Sequence, residues 1–162
     1  TIKELGDFTK NVGSIRVGSS VLIDGPCGVF TNLFGISSKI LFIAGGIGIT
    51  PIRSLMEEML MDGKEVTLLF ANRTREDVVF GREIETLKEK YGARVVYIFS
   101  GEEVRGGEKG RVDEEKIKRL VPDVTVREVY LCGPASMMRG LLPTLRTLGV
   151  PLARVHYETF SF

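Results

Sequence analysis

Three short stretches of this chain carry residue types that chemistry can use. The first is Gly45-Gly46-Ile47-Gly48-Ile49-Thr50-Pro51, entered from the apolar run Ile40-Leu41-Phe42-Ile43-Ala44 and followed by an amphipathic segment. Glycines let a backbone turn sharply and approach a ligand with no Cβ in the way. Thr50 can cap a helix that starts here, and Pro51 suits a first helical turn, where no amide donor is needed. The N-terminus of such a helix offers free N–H groups and a positive dipole end, a setting for an anion such as a diphosphate. The second stretch, Asn72-Arg73-Thr74-Arg75-Glu76-Asp77, follows another apolar run directly. The third is Cys132-Gly133-Pro134, with Met137 just beyond it. Near the end of the chain Glu158 stands beside an apolar tail, and an acid there needs a reason.

The glycine turn fits the dinucleotide fingerprint G-x-G-x-x-G only in part. Gly46 and Gly48 supply the first two glycines, but Pro51 stands at the third. The ribose-binding acid expected about 20 residues on is missing, because the next apolar run ends at Asn72. By itself the turn serves equally well as a ligand-free connection from strand to helix. In the second stretch, Asn72 or Asp77 could bond ribose hydroxyls, and Arg73 or Arg75 could meet a 2′-phosphate. A solvated polar loop accounts for each of them equally well. Cys132 taken alone is either a functional thiol or a small buried strand residue.

Composition narrows the field. The 162 residues suffice for one domain with a full core, and 43% hydrophobic with 27% charged residues is an ordinary globular composition. A net charge of +1 without long runs of one sign gives no case for nucleic acid or an anionic membrane. No apolar run approaches the roughly 20 residues that span a bilayer. Two distant cysteines, Cys27 and Cys132, lack metal-ligand spacing and fit reduced thiols, hence a cytoplasmic setting. The lone histidine, His156, argues against a histidine metal cluster or hydrolytic triad, and its apolar strand neighbours suit a structural histidine. A chain that opens at Thr1 is expected to be a fragment or a processed product.

The elements that must position these residues alternate from residue 37 onward. Strands are expected over 40–44, 65–71, 94–99, 128–132 and 154–157, with helices over 51–61, 81–90, 113–120 and 135–148. Asp113 should cap the third helix, and Pro143 should kink or split the fourth. The polar loop over 100–111 is expected to be mobile. Repeated strand-helix-strand units imply an α/β fold: a doubly wound, mostly parallel five-stranded sheet with helices on both faces. Such sheets bind ligands at the carboxyl ends of their strands, where all three stretches fall together with Ser100-Gly101, and the four are expected to converge on one cleft. Residues 1–36 read differently. Alternation over 17–24 suggests a strand and Gly25-Pro26-Cys27-Gly28 a turn, a short β segment that cannot stand alone.

Several pieces, in this order, resemble the ferredoxin-NADP reductase superfamily: Gly6-Asp7-Phe8-Thr9, Asp24-Gly25-Pro26-Cys27-Gly28, GGIGITPIRS, LLFANRTREDVVF, YLCGPASMM and the tail YETFSF. The opening residues are most similar to the branch of ferric reductases and NADPH-oxidase-type proteins. The resemblance implies that residues 37–162 form a Rossmann-like NAD(P)-binding domain, and residues 1–36 the end of an FAD-binding β-barrel whose R-x-Y-S/T motif is absent here. It implies hydride transfer from NADH or NADPH to FAD held by the complete protein. Electrons then pass singly to a haem, an iron-sulfur protein, ferric iron or oxygen. The implied setting is the cytoplasm or the cytoplasmic side of a membrane-bound parent.

Site roles follow by the same resemblance. Cys132 would lie beside the reactive carbon of the nicotinamide, without a nucleophilic role. Glu158 and an aromatic such as Phe162 would lie near the flavin. Gly45, Gly46, Gly48, Thr50 and Pro51 would hold the diphosphate, and Gly133, Pro134 and Met137 would shape its nicotinamide side. Gly6 and Thr9 would sit near the flavin diphosphate. Asn72, Arg73 and Asp77 would face the adenosine ribose, with Arg111 roughly where plant-type members place a tyrosine for the 2′-phosphate. Ser100 is followed by Gly101 rather than arginine, so the choice between NADH and NADPH stays open. The alternative from another class is a non-catalytic nucleotide- or partner-binding module lacking a complete flavin site. A conventional two-domain dehydrogenase is disfavoured by the missing catalytic histidine, third glycine and ribose acid.

Overall fold

The computed structural model describes residues 6–24, 30–32 and 36–160. The expected turn over 25–28, with Cys27, and the terminal Phe162 lie outside them. A short helix α1 (Asp7–Asn11) opens the described chain. Then come β1 (Lys39–Gly45), α2 (Ile49–Met61), β2 (Glu65–Asn72), α3 (Gly81–Tyr91), β3 (Arg94–Phe99), β4 (Glu108–Lys109), α4 (Glu114–Leu120), β5 (Glu128–Pro134), α5 (Ala135–Thr147) and β6 (Val155–Phe160). The strands form one sheet in the order β4-β3-β2-β1-β5-β6, with every pairing parallel.

The apolar strands are buried on both faces because alternate residues feed two cores. Ile40, Phe42, Ala44, Val66, Leu68, Phe70, Tyr130 and Cys132 meet α2 and α3 on one face. Leu41, Ile43, Leu69, Ile98, Val129 and Leu131 meet α4 and α5 on the other. The helices end where the sequence says they should. Gly63 (φ +73°) and Gly92 (φ +74°) take the left-handed conformation after α2 and α3. The Asp113 side chain accepts from the Lys116 amide at 2.8 Å to cap α4.

Four expectations change. The sheet has six strands, not five, because Glu108–Lys109 adds to β3 inside the loop expected to be mobile. Two polar residues carry no period that could announce a strand. Pro143 does not split α5, which runs through it. Pro143 is exposed while Leu141 and Leu145 face the core, so the carbonyl it leaves unpaired lies on the water side. Thr50 does not cap α2; Gly48 does, and the Thr50 hydroxyl donates to the Ile47 carbonyl at 3.0 Å. No strand forms over 17–24, where Val17 and Leu22 are fully exposed. Its alternation has no neighbouring strand to pair with, and a strand without a ladder leaves its amides to water.

The amino ends of the strands are fastened by charge. Arg127, 5% exposed, donates to Asp123 at 2.8 and 3.0 Å, to the Ile40 carbonyl at 3.2 Å and to Glu65. One guanidinium thus ties β1, β2 and the entry to β5. Lys39 adds a bond to Asp123 at 2.9 Å. The neighbouring Glu128, 1% exposed, meets His156 Nε2 at 2.8 Å, and His156 stacks on Tyr130 at 4.6 Å, the structural role expected of it. The Arg127 hydrogen bond, helped by Lys39, lowers the Asp123 carboxyl from its ordinary 3.8 to about 2. A carboxyl lowered by folding stabilises fully above its unfolded value and loses that contribution as pH falls through its folded one. Stability is therefore expected to drop between about pH 4 and pH 2, and Asp123→Asn to flatten that limb in urea melts taken across the window.

Candidate nucleotide-binding cleft

The strand order switches between β1 and β5: from β1 the chain runs outward through β2 and β3 to β4, then crosses back to lay β5 on the other side of β1. Ligands of open parallel sheets bind at such a switch point, outside the carboxyl ends. Here those ends are Gly45 and Cys132-Gly133-Pro134, and they lie unusually close. A Cβ on Gly133 would sit 2.4 Å from Met137 Cε and 3.1 Å from Gly45 Cα. One on Gly45 would sit 2.7 Å from Met137 Sδ and 2.9 Å from Pro134 Cδ. One on Gly48 would fall 2.2 Å from the Cys132 carbonyl oxygen. Gly46 has open space around it but φ +50°, which only glycine adopts without cost. The glycines thus answer two demands: conformation at Gly46, and close backbone approach at Gly45, Gly48 and Gly133.

Two helices begin at this point, α2 after β1 and α5 after β5. Neither has a side-chain cap at its N-terminus, where Gly48 and Pro134 are the cap residues. Pro51 occupies the first turn of α2, as expected. At α2 the Ile49 amide is already bonded to the Gly46 and Ile47 carbonyls and Pro51 has none, so the free first-turn amides at this switch point come chiefly from α5, a setting that suits an anion. Arg53 is not one of its ligands. Its guanidinium pairs with Glu57 at 2.8 Å and with Glu83 at 2.9 Å, joining α2 to α3.

Cys132 is fully buried and lies in register with Glu158 of β6. Burial, and then the Glu158 carboxylate, push its thiol up to about 12. At neutral pH it stays a thiol, a small group to pack against rather than a nucleophile. Glu158 is exposed at the mouth beside it. Met137 lies over the Gly45–Gly133 contact and closes that side of the cleft.

At the end of β2, Asn72 is 6% exposed, yet neither its Nδ2 nor its Oδ1 has a partner among the described residues. A buried unmet amide costs on the order of 1–3 kcal/mol for each group. A nucleotide with ribose hydroxyls and phosphates offers the donors and acceptors this amide lacks. With the uncapped helix ends and the glycine cradle, the residues present fit such a ligand. Asp77 differs from the expectation, since its Oδ2 accepts the Thr74 amide at 2.9 Å and the Thr74 hydroxyl at 2.8 Å. Those bonds close its own turn. Arg73 and Arg111 are exposed, Arg73 after β2 and Arg111 just past Gly110, whose amide donates to the Phe99 carbonyl at 2.7 Å. Gly6 caps α1 with Thr9 bonded back to it, the Thr9 hydroxyl accepting the Gly6 amide at 3.0 Å. No residue from 6 to 24 is buried.

Sequence reasoning singled out Ser100-Gly101 as a strand end but passed over Glu102. A Cβ on Gly101 would lie 2.9 Å from both Cγ and O of Arg73, and the Glu102 carboxylate accepts the Arg75 amide. Nothing in a glutamate-rich loop marks one acid above the others.

Comparison with known proteins agrees with this geometry. Residues 42–142 match the family model of the oxidoreductase NAD-binding domain. The chain is 32% identical over 149 residues to the ferredoxin reductase component of 3-ketosteroid-9-alpha-monooxygenase from Rhodococcus rhodochrous, covering 91% of this chain and 41% of that protein. It is 30% identical over 172 residues to NADH-cytochrome b5 reductase 1 of Pyricularia oryzae, covering 97% and 55%. The flavohem-like FAD/NAD binding domain of nitric oxide dioxygenase from Vibrio cholerae O1 biovar El Tor superposes with a TM-score of 0.69 at 27% identity, over 75% of this chain and 50% of that one. Against these two relatives the chain spans 41% and 55% of their length.

The two glycine demands separate experimentally. Gly48→Ala must push backbone apart and is expected to cost about 3 kcal/mol or more of unfolding free energy. Gly46→Ala meets only backbone strain and is expected to cost about 1–2 kcal/mol. Urea denaturation of the two variants gives the comparison.

Proposed function

The chain belongs to the oxidoreductase NAD-binding domain family of the ferredoxin-NADP reductase superfamily, and on that premise we propose that it is the nucleotide platform of a flavin-dependent reductase. NAD(P)H, when bound, supplies a hydride to FAD held by the rest of the protein. The observation that carries this reading is the meeting of two uncapped helix N-termini over the Gly45–Gly133 contact, at the switch point of a parallel sheet.

Each residue of the chain then has a physical task. The free amides opening α5, with those left at the start of α2, would hold the diphosphate. Asn72 gains the partners it lacks, which fixes the adenosine end. Gly45, Gly133 and Met137 would form the floor and wall for the nicotinamide. The protonated, buried Cys132 would pack beside it and keep water out. Glu158 places a carboxylate at the mouth, where the flavin would arrive. Position rather than acid-base chemistry is what these residues provide.

The FAD-binding domain is the first partner. Residues 6–24 bury nothing and expose Phe8 and Ile23 at 79% and 83%, a surface that suits cover by another domain. Relatives named as a ferredoxin reductase component and a cytochrome b5 reductase support a one-electron acceptor of iron-sulfur or haem type. Among the described residues no helix is long and apolar enough to cross a membrane.

Calorimetric titration of the chain with NADH and with NADPH tests the platform, and binding of at least one is expected. In the protein complete with FAD, Cys132→Ala is expected to slow hydride transfer by about tenfold, on the order of 1.4 kcal/mol of barrier. The dissociation constant for the nucleotide should change little. Equal transfer rates in the variant and the parent would remove Cys132 from the mechanism.

A further inference from the structure

We propose that the Glu128–His156 pair is a positioning pair for hydride transfer: it pins the outermost strand of the sheet and so fixes where Glu158 stands at the mouth of the cleft. The proposal rests on the nucleotide-platform reading above.

β6 needs such a pin. It is the last strand of the sheet and pairs only with β5. None of its residues from Val155 to Thr159 is fully buried. Val155 packs partly against the core on the α4 and α5 face, while His156 lies with Tyr130 on the other. Strand side chains alternate between faces, so one row carries Glu128, Tyr130 and Cys132 of β5, and the row beside it His156 and Glu158 of β6. Tyr130 stands opposite His156, and Cys132 opposite Glu158. His156 stacks on Tyr130 at 4.6 Å with 22° between the rings, and its Nε2 meets Glu128 Oε2 at 2.8 Å. A slip of β6 by one residue would turn His156 and Glu158 to the other face, breaking the stack and the bond together. The register that puts the Glu158 carboxylate beside the Cys132 thiol is therefore fixed two residues earlier.

Glu128 ties more than β6. At 1% exposed it sits out of water, and a buried carboxylate must have its partners. Oε1 accepts the Ile36 amide at 3.4 Å, and Oε2 faces Nε2 of His156. A carboxylate only accepts, so Nε2 is the donor. The segment at Ile36 is held further by Ser37, whose hydroxyl donates to the Val126 carbonyl at 3.0 Å. One side chain thus joins the entry into the sheet to its last strand. On the platform reading the FAD-binding domain precedes that entry, and Glu158 on the last strand faces the flavin. Glu128 opens β5 and His156 is second in β6, away from the cleft, so the pair acts through Glu158 rather than on the reactants.

Two substitutions separate the bond from the bulk. His156→Leu keeps an apolar side chain over Tyr130 and removes the donor; His156→Gln keeps a donor near the position of Nε2. In the protein complete with FAD, stopped-flow reduction of the flavin by NADH or NADPH is expected to be about fivefold slower in His156→Leu, with little change in the dissociation constant of the nucleotide. His156→Gln is expected to recover the rate to within about twofold. In a Glu158→Ala background, His156→Leu should slow transfer no further, because the two residues act as one unit. Amide exchange in the chain by itself reports on the strand, with β6 expected to exchange about tenfold faster in His156→Leu and β1 unchanged. An unchanged rate in His156→Leu, an equal slowing on top of Glu158→Ala, or faster exchange across the whole sheet would overturn the positioning and leave the platform reading intact. Absence of flavin reduction by either nucleotide in the parent would overturn both.

Discussion

Everything at the carboxyl end of this sheet depends on how closely the ends of β1 and β5 approach. Gly45, Gly48 and Gly133 stand where any Cβ would collide with neighbouring backbone or with the side chains of Met137 and Pro134. That approach brings the starts of α2 and α5 to one point, with no side-chain cap on either. It also places the Cys132 carbonyl against the start of α2 and the Cys132 side chain in the core beneath. Had either strand end carried side chains, the two helix starts would part.

The opposite end of the sheet works on a different principle. There a single buried guanidinium, Arg127, satisfies an aspartate, a glutamate and a backbone carbonyl drawn from three elements. Buried ion pairs are weak evidence of net stability, but losing one partner leaves an uncompensated charge. The charge network holds the strands in register where no chemistry is needed, and leaves the other end to be shaped by close backbone contact. Tyr130 spans the two, stacked on His156 below and meeting Phe30 edge-on at 5.7 Å.

The loops after β2 and β3 show how neighbouring strands of a parallel sheet bring groups from distant segments together. Of the two acids in the β2 loop, Asp77 closes a turn by accepting the Thr74 amide. The β3 loop, held against Arg73 at Gly101, brings Glu102 to the same place. A fingerprint defined by distance along one strand cannot register such a neighbour, because Glu102 meets the Arg75 amide from 27 residues away.

The sequence by itself determined the class of fold and most of the cleft. Unbroken apolar runs such as ILFIA mark strands buried on both faces, and Gly63, Gly92 and Asp113 mark helix ends, because these signals are local. The glycine turn and Cys132-Gly133-Pro134 were legible for the same reason, as was their shared place at strand ends. Only the tertiary structure decided what lies between chain segments. It showed Gly48 rather than Thr50 at the helix start, the two-residue β4, the unsplit α5 and the reach of Glu102 to Arg75. It also showed that 17–24 form no strand. Each of these depends on which neighbour a group meets, and a period or a cap signal in one segment holds no information about its neighbours in space.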